Sequence, residues 1–132
     1  MKRVLMFLMT ATLAGVTVLG CTKGYESQKI SGDTTIALAA ASYPLVKGDN
    51  SLMIKVIDAS GKPATNARVD VRYYMPPMPG MAPMEYTSQA MAKGDVYAAN
   101  ANIAMEGGWR IDVTVNRPDK PTQTATFNVD AR

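Results

Sequence analysis

After residue 33 the chain alternates between short apolar stretches and clusters of glycine, proline, asparagine and aspartate. The stretches are rich in β-branched and aromatic residues, and none has a sustained helical period. Each is therefore predicted to be a β-strand bounded by turns. The predicted strands are 34–40, 51–58, 67–73, 84–91, 96–105, 109–115 and 122–129.

The number and spacing of these strands predict the fold class. About seven short strands, roughly ten residues apart, are typical of an all-β, immunoglobulin-like antiparallel β-sandwich, and a small barrel is the alternative. Trp109, the one tryptophan, shares a strand face with Ile111, Val113 and Val115. We therefore predict that Trp109 fills the core. Residues 34–132 are enough for one domain and too few for two.

The N-terminus has the pattern of an export signal. Lys2 and Arg3 precede an apolar run over residues 4–19, and Gly20 precedes Cys21. This pattern is typical of a signal peptide over residues 1–20, and the glycine-cysteine junction resembles the lipobox of bacterial lipoproteins. The resemblance implies that Cys21 is the site of lipid attachment, which would hold the domain on a membrane. The polar residues 21–33 are then predicted to be a flexible tether.

An uncleaved transmembrane anchor is the alternative interpretation of the apolar run, because its length is close to the minimum for crossing a bilayer. Both interpretations place the domain outside the cytoplasm, facing the periplasm. Thr22, and not an aspartate, follows Cys21. In enteric-type bacteria this favours sorting to the outer membrane.

The charge balance and the missing residue types exclude several functions. Loss of Lys2 and Arg3 with the signal peptide leaves 12 of the 14 basic residues against 11 acidic ones. This balance predicts no nucleic-acid partner, which would require a basic patch. The chain has no histidine, and its one cysteine is assigned to the lipid. Disulfides, Ser-His and Cys-His pairs and histidine-based metal sites are then unavailable, so we predict that the protein is not an enzyme.

Four methionines recur at a spacing of three in a proline-rich segment: Met75, Met78, Met81 and Met84. Proline favours polyproline II, whose three residues per turn would project these side chains from one edge. Pro79-Gly80 suits the centre of a type II turn, which brings the α-carbons of Met78 and Met81 within about 7 Å. Thioether sulfur is a soft, uncharged ligand that suits Cu(I). We therefore predict a Cu(I) site formed by Met78 and Met81 and completed by Met75 or Met84.

Two other uses of this segment stay open. Methionine fills irregular apolar gaps, so the segment could instead fold over one end of the sandwich as a lid. Its methionines could also form an adaptable surface for a protein partner. Met105, just before Gly107-Gly108, is a more distant candidate ligand if its loop lies at the same end of the domain.

Several motifs occur in order between residues 52 and 115. They are Gly61-Lys62-Pro63 with Ala67 and Val69, Met75-Pro76-Pro77-Met78 with Met81, Gly94-Asp95-Val96-Tyr97, and Met105-Glu106-Gly107-Gly108-Trp109-Arg110. Together they resemble the YtkA-like or FixH-like domain family. The resemblance implies an extracytoplasmic immunoglobulin-like domain of a kind often found near copper handling or cytochrome-oxidase assembly. FixH-like proteins carry a transmembrane anchor where this chain has its lipobox-like junction.

Two functional hypotheses follow. In the first, a membrane-tethered lipoprotein binds Cu(I) through the methionine segment and delivers it to an envelope partner in copper transport, efflux or oxidase assembly. In the second, the domain is a non-metal interaction module of the cell envelope, an accessory to efflux or oxidase assembly. A Cu(I) titration separates the two, because only the first requires the sulfur atoms.

Overall fold

The structure, a computed structural model, describes residues 28–132, which form eight β-strands. Their bounds are β1 Gln28–Ser31, β2 Thr34–Ala40, β3 Gly48–Ile57, β4 Arg68–Tyr74, β5 Glu85–Lys93, β6 Val96–Ile103, β7 Gly107–Asn116 and β8 Gln123–Ala131. The predicted signal peptide and Cys21 lie outside the described residues. Within residues 28–132, no helix has the length and apolar character needed to cross a membrane.

The strands pair antiparallel in the order β1-β2-β3-β6-β5-β4-β7-β8. Strand β5 belongs to two sheets. Its first part, from Glu85 to Ala90, pairs with β4, and its last part, from Met91 to Lys93, pairs with β6. We call β1, β2, β3, β6 and the end of β5 the first sheet, and the start of β5, β4, β7 and β8 the second sheet. The all-β, antiparallel sandwich predicted from the sequence is confirmed.

The two ends of the strand order also approach each other. Gln123 Nε2, on β8, donates a hydrogen bond of 3.2 Å to Asp33 Oδ1, in the turn after β1. Leu45, in the loop after β2, pairs with the end of β8: its N–H donates to the Asp130 carbonyl, and the Arg132 N–H donates to the Leu45 carbonyl. These contacts give the sandwich a barrel-like shape that is nearly closed.

The core is built from the inward-facing residues of both sheets. Along β7, Trp109, Ile111, Val113 and Val115 alternate with more exposed residues and are at most 1% exposed. This is the period-two pattern of a strand with one buried face. Trp109 is therefore part of the core, as predicted, and its Nε1 donates a hydrogen bond of 3.0 Å to the Met105 carbonyl.

The predicted flexible tether is wrong at its C-terminal end. Residues 28–31 form β1, which pairs with β2 from Gln28 opposite Ala37 to Ser31 opposite Thr34. The backbone of this segment is therefore held by hairpin hydrogen bonds. This edge strand has no buried apolar face, because three of its four residues are polar and the fourth, Ile30, is 74% exposed.

Replacing Ile111 tests the buried face of β7. Ile111→Ala is expected to lower the free energy of unfolding by about 2–5 kcal/mol, and Ile111→Val by about 0.5–1.5 kcal/mol, since both leave a cavity in the core. Urea denaturation followed by circular dichroism measures the loss. Arg110→Ala, on the exposed face of the same strand, is the control and is expected to change stability by less than about 0.5 kcal/mol. Equal losses for Ile111→Ala and Arg110→Ala would contradict this assignment of the two faces.

Candidate functional site

Residues 75–84, which we call the methionine loop, connect β4 to β5. The last strand pair below the loop is Tyr74 opposite Glu85. The Met75 N–H then donates a hydrogen bond of 3.1 Å to the Met84 carbonyl. This bond continues the ladder by one step and closes the loop at its base. Met75 and Met84 therefore lie opposite each other where the loop leaves the sheet.

A second, tighter turn forms the tip of the loop. The Met81 N–H donates a hydrogen bond of 3.2 Å to the Met78 carbonyl. Gly80 has a φ of +80°, the value that the third residue of a type II turn requires and that glycine adopts without a steric penalty. The turn predicted at Pro79-Gly80 is thus present, and it brings the backbones of Met78 and Met81 together.

The four methionines of the loop line one pocket, which has a volume of about 140 Å³. This is several times the roughly 30 Å³ that one water molecule occupies in the liquid, so a metal ion has room there. The side chains differ in exposure: Met75 is 8% exposed, whereas Met78 and Met81 are 44% and 41% exposed. Met84 is half-buried against the core. The pocket therefore has two methionines at a buried base and two at an accessible tip.

Met75 connects the loop to the rest of the core. Its Cε lies so close to Gly107 that a Cβ added there would be 2.9 Å away. Gly107 also has a φ of +131°, a conformation that residues with a side chain rarely adopt. The glycine at the start of β7 thus leaves the space that the Met75 side chain needs. This contact brings the Gly-Gly-Trp-Arg motif and the methionine loop to the same end of the domain.

Met105, the more distant candidate, does not line the pocket. Its side chain is half-buried against the core, and its carbonyl accepts the Trp109 hydrogen bond. Its loop nevertheless lies near the site, because Gly107 contacts Met75. The structure therefore groups the four methionines of the loop and leaves Met105 outside the group.

Three further residues line the pocket that were not predicted from the sequence: Arg72, Tyr74 and Glu85. The Arg72 guanidinium forms two hydrogen bonds with the Glu85 carboxylate, of 2.7 and 2.9 Å, and a third of 2.8 Å with Asp112. Its Cζ lies 4.2 Å from the centre of the Tyr74 ring. Arg72 and Tyr74 are two residues apart on the exposed face of β4, and Glu85 follows the loop directly. Two features of the sequence could have indicated these residues. The period-two pattern of β4 places Arg72 and Tyr74 on one face, and Glu85 is next to the loop.

These contacts set the charge of the pocket's rim. Arg72 and Glu85 are the charged residues that line the pocket, and their charges balance, whereas Asp112 pairs with Arg72 without lining the pocket. The hydrogen bonds from Arg72 hold the pKa of Glu85 below its usual value. The hydrogen bonds that Arg72 donates to Glu85, and then the one that it donates to Asp112, raise the pKa of Arg72. Both groups are therefore charged at neutral pH, and they form an ion pair at the rim of the pocket that carries no net charge.

The harder metal ligands do not come together in the part of the chain that the structure describes. That part contains no cluster of three or more histidine, cysteine, aspartate or glutamate side chains that could hold a metal ion. In residues 28–132, methionine sulfur is therefore the ligand type to consider for a metal site.

Comparison with known proteins shows the family to which the sequence of this chain belongs. The sequence model of the YtkA-like family matches residues 28–114, from the start of β1 to within β7. Among solved structures, the chain is similar to the crystal structure of the PmoD soluble domain from Methylocystis sp. ATCC 49242 (Rockwell), with a TM-score of 0.53 and 14% sequence identity over 80% of this chain and 97% of that one. At this identity the likeness shows a shared fold alone. Comparison with curated protein sequences gave no significant match.

Replacing Gly107 tests the contact between β7 and the methionine loop. Gly107→Ala is expected to destabilise the protein by about 1–3 kcal/mol, because alanine is strained at this φ and its Cβ displaces the end of Met75. Thermal or urea unfolding measures the loss. Gly108→Ala is the matched control, since an added Cβ there meets nothing within 4 Å. An equal loss in both variants would contradict the special role of Gly107.

The Arg72–Glu85 pair predicts a dependence of stability on acid pH. Because the pKa of Glu85 is lowered in the folded state, its contribution is fully present above the pKa of an unfolded glutamate, about 4.3, and is lost as the pH falls through the folded value. We expect the free energy of unfolding to fall less between about pH 5 and pH 3 in Glu85→Gln than in the wild type. Urea titrations at each pH measure the difference. Glu106→Gln, at an exposed glutamate before β7, is the control and should keep the wild-type profile.

Proposed function

This chain belongs to the YtkA-like family, and from that premise we propose that it is an extracytoplasmic copper protein that binds Cu(I) in the methionine loop and delivers it to a partner in the cell envelope. The observation that carries the proposal is the common pocket of Met75, Met78, Met81 and Met84. Membership of the YtkA-like family supports a role connected with copper, since domains of this family are often found near copper-handling functions. The sulfur atoms supply the chemistry.

The ligand type selects the class of metal. Thioethers are soft and uncharged, and they carry no proton that must leave before a metal binds. Soft monovalent ions such as Cu(I) accept such ligands, whereas Zn²⁺ sites usually contain imidazole, thiolate or carboxylate. The loop is therefore suited to Cu(I) in preference to divalent ions.

The unequal exposure of the four methionines supports a protein that transfers Cu(I) to a partner as well as storing it. Met78 and Met81, at the tip, are reachable from solvent and can meet an incoming or departing ion first. Met75 and Met84, at the base, are held by the backbone hydrogen bond and by packing on the core. An ion bound at the tip gains a third ligand from the base, and it can leave toward a partner by exchanging the tip ligands. The loop thus has an open side where a partner can take over the metal.

We also propose that the protein is attached to a membrane outside the cytoplasm. The sequence of residues 1–21 supports export and attachment of lipid to Cys21, which would anchor the domain on the periplasmic side of a bacterial membrane. From there the methionine loop could reach a membrane-bound component of copper transport, efflux or oxidase assembly. We propose no enzymatic activity and no nucleic-acid partner.

A competition titration tests the copper site. The purified protein, held in ascorbate under nitrogen, is titrated with Cu(I) in the presence of a chromogenic chelator. At the low free Cu(I) concentration that the chelator sets, we expect one ion to bind tightly, with affinity reduced at least about tenfold, or 1.4 kcal/mol, in the Met78→Leu/Met81→Leu variant. Leucine keeps the apolar volume and removes the sulfur atoms. The fluorescence of Trp109, two residues beyond the Gly107 contact with Met75, is expected to change on binding.

Met105→Leu is the matched control, because it removes a sulfur atom near the loop but outside the pocket. This variant should bind Cu(I) as the wild type does. Full retention of Cu(I) by the Met78→Leu/Met81→Leu variant would reject the copper site. The exposed methionines at the tip would then be assigned to a docking surface for a protein partner.

A further inference from the structure

A second group of methionines lies on the outer face of the first sheet, away from the methionine loop. Four residues face one another across four adjacent strands. Ala39 on β2 lies opposite Met53 on β3, Met53 lies opposite Ala98 on β6, and Ala98 lies opposite Met91 on β5. The row is therefore alanine, methionine, alanine, methionine, and the residue of β6 between the two methionines, Ala98, has a single methyl group as its side chain. We call Met53 and Met91 the outer methionine pair.

The outer pair is accessible to solvent. Met53 is 38% exposed and Met91 is 74% exposed, although burying such a side chain contributes about 1.5–3 kcal/mol. A single exposed apolar residue is ordinary on a protein surface. Here, however, two thioethers share one open groove of about 590 Å³, with Ser51, Ser88, Gln89 and Asn100 among its other lining residues. Both methionine side chains thus open into the same groove.

The strand geometry sets the distance that a ligand must bridge. Neighbouring strands are about 4.8 Å apart, so the α-carbons of Met53 and Met91 are about 9.6 Å apart across β6. An ion held linearly between two sulfur atoms, with bonds of about 2.3 Å, spans roughly 4.6 Å of this distance. Two unbranched methionine side chains are long enough to span the remaining distance of about 5 Å. Ala98 is small enough to leave the space between them open.

We propose that Met53 and Met91 form a second site for a soft monovalent ion, Ag(I) or Cu(I), bound linearly by two thioethers over Ala98. The site is separate from the methionine loop and does not depend on it. It is also weaker, because it has two ligands and its one charged lining residue is a cation, Lys93, whereas the charged lining residues of the loop pocket, Arg72 and Glu85, balance. The proposal gives the domain two metal-binding surfaces of different strength.

Methyl NMR with Ag(I) tests this site directly. The purified full-length protein, labelled with ¹³C at the methionine methyl groups, is titrated with Ag(I), which is diamagnetic and stable to air. We expect the Met53 and Met91 signals to shift together along one binding curve, at higher Ag(I) concentration than the signals of the methionine loop. In Met53→Leu the shift of Met91 should be lost or its midpoint raised at least tenfold. Met91→Leu should have the same effect on Met53.

Two variants test whether one ion is shared by the outer pair. The first excludes separate binding at each methionine, and the second excludes binding at the methionine loop. Ala98→Leu keeps both sulfur atoms and places a branched side chain between them, so the joint shift should be lost while the methionine-loop signals still respond. Met78→Leu/Met81→Leu should leave the Met53 and Met91 curve unchanged, even if copper binding at the loop fails.

Four results would overturn the proposal. They are the absence of a shift in the outer pair, independent curves for Met53 and Met91, an unchanged curve in Ala98→Leu, and shifts that follow protein concentration without Ag(I). The last of these would indicate contact between two copies of the chain.

Discussion

Strand β5 holds the two sheets together, and both methionine surfaces depend on the way it does so. Its first part pairs with β4 in the second sheet and its last part with β6 in the first. The methionine loop enters β5 at Glu85, where the strand lies in the second sheet. Met91 is the first residue of β5 that pairs within the first sheet. The transfer of one strand between sheets thus positions both groups of sulfur atoms.

The same residue type has different physical roles at different depths of the fold. Met75 packs in the core and against Gly107, where its flexible side chain fills an irregular space. Met78 and Met81 extend from a proline-stiffened turn into solvent. The lid and the metal site are therefore compatible uses of one loop, because the base serves packing and the tip leaves its sulfur atoms accessible. Preorganisation by proline and by the two loop hydrogen bonds reduces the entropy lost when a ligand binds.

The sequence predicted most of the fold because the information is local. The apolar alternation located β2 to β8, and Pro79-Gly80 located the turn between Met78 and Met81. Strand β1 was missed because it is short, has Ile30 as its one apolar residue, and pairs in a way that depends on the neighbouring strand. Arg72, Glu85 and Asp112 were missed as a group for a related reason. Their contacts depend on the registers of β4 with β5 and with β7, which no local pattern specifies.

The hydrogen bond between Met75 and Met84 has a consequence for how such domains diversify. Pairing between β4 and β5 is complete before the tip of the loop begins, so the conformation of the tip does not affect the register of these strands. Insertions, deletions or exchanged donor atoms beyond that bond leave the scaffold intact. Natural selection, or an engineer, can therefore alter the side chains that the tip presents without a new fold having to be found.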